Sequence, residues 1–140
     1  MDSISPDKRS NNMRAVKSVS KLETSVSRAL WRNGIRFRRN VKDLLGKPDI
    51  VIKKYNIVIF IDSCFWHGCS IHYKPPQSNK EYWYAKITRN QNRDKIVNDF
   101  YQEKGWNVLR VWEHDLKRGA FEETVGQITD FIYTCKATCV

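Results

Sequence analysis

Asp49-Ile-Val-Ile-Lys-Lys-Tyr-Asn-Ile-Val-Ile-Phe-Ile61 is the stretch on which the fold turns. Ile50 to Ile52 and Ile57 to Ile61 are short apolar runs rich in β-branched residues, split by the polar Lys53-Lys-Tyr-Asn56. Such runs read as strands buried on both faces, because a strand with one wet face would alternate. A sheet covered on both sides needs helices, and the flanking sequence must provide them.

It does. Residues 20–33 predict a first helix, with Leu22, Val26, Ala29 and Leu30 as its apolar stripe and Gly34 as its stop. Ser20 and Glu23 have the spacing of a capping box. Ile35-Arg-Phe-Arg38 alternates like a strand with one dry face, and Gly46-Lys-Pro48 reads as a turn. Residues 79–104 predict a long helix ended by Gly105, with Trp83, Ile87, Asn90, Asp94, Val97 and Tyr101 near one face. Trp106 to Trp112 predicts a further strand. Phe121, Val125, Ile128 and Ile132 predict a last amphipathic helix. The order is helix, three strands, helix, strand, helix. It implies one α/β domain, residues 20–140, preceded by a polar, basic arm, residues 1–19.

Lys and Arg number 25 against 15 Asp and Glu, a formal net charge of +10. That excess favours a polyanionic partner, nucleic acid above all. No apolar run reaches the ~20 residues that span a bilayer. Met1 to Lys8 lacks the apolar core of a signal peptide. A cytoplasmic, nucleoid-associated protein is expected, and disulfides are rare in that compartment. The four cysteines are therefore read as metal ligands or free thiols.

The second buried run leads straight into Cys64-Phe-Trp-His-Gly-Cys69-Ser-Ile-His72. Two thiols and two imidazoles within nine residues suit zinc, which takes four such ligands in a closed tetrahedral site. Cys64, Cys69 and His72 have ligand spacing. His114 is the best fourth, since it closes the strand ending at Trp112. Cys135 and Cys139 compete from a frayed C-terminus. His67, between Trp66 and Gly68, is then left unligated.

Three carboxylates stand out. Asp49 opens a buried strand, which is costly without a partner such as a cation. Asp94 lies on an apolar helix face, either paired with a base or aimed into a site. Glu23 fits the capping box but also leans towards the apolar stripe. Oxygen ligands of this kind suit Mg²⁺, which can activate water and neutralise phosphate charge. A neutral imidazole such as His67 can take a proton near pH 7. Phe65-Trp66, and Met13 among Arg9, Arg14 and Lys17, are apolar groups in basic surroundings that can wedge between base pairs.

Five motifs now fall in order: Asn11-Asn-Met-Arg-Ala15, Gly46-Lys-Pro-Asp49, Phe60-Ile-Asp-Ser-Cys-Phe-Trp-His-Gly-Cys69, Asn90-Gln-Asn-Arg-Asp94 and Gly105-Trp-Asn-Val-Leu-Arg-Val-Trp-Glu-His114. Together they resemble the very short patch repair (Vsr) endonucleases, from about Lys8 to Leu116. The resemblance implies a restriction-endonuclease-like fold with a structural zinc. It implies nicking, with Mg²⁺, on the 5′ side of the T of a T:G mismatch in double-stranded DNA. It implies a monomer that works beside a cytosine DNA methyltransferase. By resemblance, Asp49 and the Ile61 carbonyl hold Mg²⁺ and His67 is the general base. Glu23 and Asp94 assist, and Cys64, Cys69, His72 and His114 hold zinc. Met13, Arg14, Phe65 and Trp66 meet the DNA.

Asp62-Ser63-Cys64 lacks the lysine of the wider nuclease pattern. Asp62 adjoins Ile61 as a further ligand candidate, although strand alternation is expected to turn it away from the site. Two rival readings use the same residues. One is a non-catalytic DNA-binding module whose carboxylates are caps and ion pairs. The other is a nuclease of the same fold with a different DNA target.

Overall fold

A computed structural model describes residues 20–64, 68–69, 78–117 and 119–138. The N-terminal arm therefore lies outside the described residues, together with Met13, Arg14, Phe65, Trp66, His67, His72 and Cys139.

The chain forms helix α1 (residues 20–32), strands β1 (Arg38–Arg39), β2 (Ile50–Ile52) and β3 (Ile57–Asp62), helix α2 (Lys80–Glu103), strand β4 (Asn107–Trp112) and helix α3 (Phe121–Thr138). Four strands make one sheet in the order β1-β2-β3-β4. The first three run antiparallel in a meander, with Ile50 opposite Ile59 and Val51 opposite Val58. β3 and β4 pair in parallel, from Ile57 opposite Asn107 to Asp62 opposite Trp112. A parallel pair needs a long crossover, and α2 is that connection.

The sheet has two buried faces. Ile50, Ile52, Ile57, Ile59 and Ile61 pack with α1 (Val26, Leu30) and α3 (Val125, Ile128, Ile132). Val51, Val58 and Phe60 pack with Val97 and Tyr101 of α2 on the other side. Every residue of β2 and β3 is buried, as their unbroken apolar sequence demands.

Three details depart from the sequence reading. β1 contains only Arg38 and Arg39, which pair with Val51 and Ile50 of β2. Ile35 drops into the core instead. Ser20 is already helical and its carbonyl accepts the Thr24 hydroxyl, so no capping box with Glu23 is formed there. The C-terminus is not frayed around Cys135, which is buried in α3 with the α1–α3 core and is not part of the Cys64, Cys69 and His114 cluster.

Candidate active site and metal centre

Asp49 is held at the mouth of the sheet by three backbone-level contacts. Its N–H donates to the Ile59 carbonyl at 3.1 Å, and its carbonyl accepts the Asn40 N–H at 3.1 Å. Its Oδ2 accepts the Ile61 N–H at 2.7 Å. The carboxylate thus caps the strand edge just beyond β2, where the ladder would otherwise leave that donor open.

A cleft of about 330 Å³ opens beside it, lined in part by Asp49, Ile61, Asp62 and Asp94. The Ile61 side chain is in the α1–α3 core, so its backbone faces the cleft. Alternation does turn the Asp62 side chain to the face opposite that of Ile61. That face is the one occupied by the cleft, so Asp62 shares the site with Asp49 rather than leaving it. The expectation failed because Asp49 also presents its side chain to the α2 face.

Asp62 is engaged by a residue that the sequence reading did not single out. Arg110 Nη1 lies 2.9 Å from Asp62 Oδ1 and 3.2 Å from Oδ2. The same nitrogen is 3.5 Å from Asp94 Oδ1, and Nε donates to Asn98 Oδ1 at 2.7 Å. The guanidinium also stacks 4.2 Å over the ring of Phe60, its cross-strand partner. Asp94 is therefore both paired and aimed into the cleft. A charged residue in a strand reads as a wet face, which is why Arg110 gave no signal by itself. Its position two residues before Trp112, on the strand beside Asp62, was the clue. Glu23 is half-buried on α1 and is not among the residues lining the cleft.

The parallel pairing sets up a second centre. β3 ends at Asp62 and β4 at Trp112, so the residues just past each end, Cys64 and His114, arrive together. His114 Nδ1 is 3.3 Å from Cys64 Sγ and 3.5 Å from Cys69 Sγ. The three ligand atoms lie within 4.8 Å of one another. The Cys69 N–H donates to the Cys64 carbonyl at 3.0 Å. Gly68, at φ 62°, packs where a Cβ would lie 2.5 Å from Ile87 Cγ2, so its backbone is seated directly on α2.

Two acids that the sequence reading passed over support the ligands. Glu113 is buried and accepts the Cys64 N–H at 3.2 Å. Asp115 Oδ1 is 3.4 Å from His114 Nε2, on the ring nitrogen that faces away from the sulfurs. A carboxylate on the far nitrogen fixes a ligating histidine's ring and tautomer. Burial pushes the Cys64 thiol up to about 11, with the neighbouring Cys69 adding to the rise and the hydrogen bond to His114 opposing it. Without a cation the Cys64 sulfur would rest as a thiol. Two sulfurs and an imidazole nitrogen are a soft donor set that can bind a metal ion.

A comparison with protein families matches residues 1–73 to the family described as DNA mismatch endonuclease Vsr. The Type II nicking enzyme V.HpaIIP of Haemophilus parainfluenzae is 40% identical over 120 residues, covering 83% of this chain and 85% of the relative. The Type II nicking enzyme V.NaeI of Lentzea aerocolonigenes is 39% identical over 131 residues, covering 89% and 76%. The DNA mismatch endonuclease Vsr of Escherichia coli K12 is 39% identical over 111 residues, covering 78% and 71%.

Proposed function

Because the chain belongs to the Vsr family of DNA mismatch endonucleases, we propose that it nicks the T-bearing strand 5′ to the T of a T:G mismatch, using Mg²⁺ and a structural zinc. That it is an endonuclease acting on DNA follows from the family, and a purely DNA-binding module is thereby set aside. The observation that carries the finer reading is the Asp49 carboxylate, pinned at 2.7 Å by the Ile61 N–H at the edge of an acid-lined cleft.

The donors of that cleft fit a hard cation. Asp49 offers a carboxylate, and Ile61 offers a carbonyl. A strand residue sends its N–H and C=O to the same side, so the Ile61 carbonyl shares the edge on which Asp49 sits. These two would hold Mg²⁺, which supplies a more acidic bound water and neutralises charge on the phosphate. His67 lies outside the described residues, and the family motif makes it the base that takes the proton of the attacking water. Attack in line on phosphorus breaks the bond to the 3′ oxygen, leaving 3′-hydroxyl and 5′-phosphate ends. Asp94 orients its surroundings through Arg110, and Glu23 would act through water rather than by lining the cleft.

Cys64, Cys69 and His114 fit zinc, with His72 as the fourth ligand. Phe65, Trp66, Met13 and Arg14 would engage the mismatch, the last two from the arm of residues 1–19. We place the remaining residues, 20–140, in one restriction-endonuclease-like domain acting as a monomer, functionally linked to a cytosine DNA methyltransferase.

The test is a nicking assay on T:G and matched duplexes with and without Mg²⁺. The reading expects a single nick in the T strand of the mismatch, abolished by EDTA and by Asp49→Ala. Equal cutting of matched duplex would favour a different target. Cutting by Asp49→Ala at the parent rate would overturn the site.

A further inference from the structure

Among the described residues, four that are not glycine have positive φ. Asn40, Asn56 and Asn79 are of the type that enters the left-handed region with least cost. The fourth is Lys47, at φ 51°. Nothing about a lysine suits that conformation, and glycine or asparagine would relieve it.

The turn that imposes this conformation is held firmly. Gly46, at φ 79°, sits so close to α2 that a Cβ there would lie 2.8 Å from Val97 Cγ1. The Lys47 N–H donates to the Leu44 carbonyl at 3.1 Å, and the Tyr101 hydroxyl donates to the Leu45 carbonyl at 2.5 Å. Two residues further on is Asp49. The backbone is thus fixed by its neighbours, and the strained residue lines the cleft. Strain retained at such a place points to a side chain that is needed there.

The charges of the cleft say what for. Its acids are Asp49, Asp62 and Asp94, and its bases are Lys47, Arg93 and Arg110. Arg110 is committed to Asp62 and Asp94. Lys47 and Arg93 are exposed, and neither forms an ion pair among the described residues. They stand on different walls, Lys47 on the turn before β2 and Arg93 on α2.

We propose that Lys47 and Arg93 form a two-walled clamp for a backbone phosphate of the DNA, adjacent to the one that is cut. The lysine contributes a compact point charge and the arginine a planar fork able to bind two phosphate oxygens. The clamp rests on the chain's action on DNA and on neither metal. Because phosphates carry no sequence, it grips matched and mismatched duplex alike.

The experiment measures duplex binding by fluorescence anisotropy without added Mg²⁺ across a range of salt, for the parent, Lys47→Gly, Lys47→Arg and Arg93→Ala, with melting curves for each. Lys47→Gly should melt at or above the parent temperature, since it removes the strain. It should still bind matched and T:G duplex more weakly, with a log–log salt slope reduced by about 0.9, the value for one lost phosphate contact. Arg93→Ala should lose a similar slope, and Lys47→Arg should keep most of it. Parent-like affinity and slope in Lys47→Gly and Arg93→Ala would overturn the clamp. Melting of Lys47→Gly below the parent would show that the lysine serves the turn and would overturn it too. Failure of Mg²⁺ or T:G dependence in the nicking assay leaves these binding results intact.

Discussion

Arg110 on β4 grips Asp62 on the parallel strand beside it, with Nη1 2.9 Å from Oδ1, and so removes one of three cleft carboxylates from the competition for a cation. Asp62 is 4% exposed and would be costly to leave there as a lone charge. The pair thereby makes room for a second acid in the cleft without adding a second bare negative charge beside Asp49.

Arg110→Ala should destabilise the fold by about 3–5 kcal/mol, the usual cost of stranding one member of a buried pair. Asp62→Asn should restore part of that loss when combined with it. Urea unfolding of the two single variants and the double variant measures the coupling. Additive losses would mean that the two side chains do not depend on each other.

Elemental analysis of purified protein should return about one zinc per chain. Cys69→Ala and His114→Ala should lose the metal and melt well below the parent. His67→Ala should keep the metal and lose nicking, which separates the base from the ligands. Loss of zinc from His67→Ala would exchange the roles given to His67 and His72.

The metal-free protein has its own pH dependence. Burial raises the Cys64 thiol from an ordinary value of 9.0 to about 11, so the folded state holds a proton that the unfolded chain releases first. The associated stability is complete below about pH 9 and is lost as pH climbs towards about 11. The zinc-bound form has already given up that proton, so its stability should change far less over the same window. Chemical denaturation at pH 8 and pH 10, with and without chelator, checks the sign.

Gly46→Ala tests the rigidity of the turn. The new methyl would meet Val97 at 2.8 Å and would force a residue with a Cβ to φ 79°. A loss of about 1–3 kcal/mol is expected from overpacking together with backbone strain. Val97→Ala should recover part of it by opening space, as read by thermal melts of the single and double variants.

The sequence made the middle of the fold plain and its edges less so. Ile50–Ile52 and Ile57–Asp62 were legible because burial on both faces leaves an unbroken apolar run. The helix expected over 79–104 is observed at Lys80–Glu103, because Gly105 and the apolar face bound it clearly. β1 was overestimated because alternation in Ile35-Arg-Phe-Arg38 records only which side chains are dry, not whether a partner strand exists. Within the site, Asp49 and Asp94 announced themselves as acids in apolar settings. Arg110, Glu113 and Asp115 did not, because their importance comes from what lies opposite them across β3 and β4. Lys47 was hidden for another reason: its significance is a backbone angle, which its side chain type gives no cause to expect.

The thiol of Cys64 and the ring of His114 are fifty residues apart in the chain, and only the parallel ladder joins them. The ligand set that includes His114 is completed only where the ends of β3 and β4 lie side by side. A metal held there would brake unfolding, because the two strands cannot part without giving up a ligand. Its influence would be felt as lifetime: how long the finished molecule persists before β3 and β4 part.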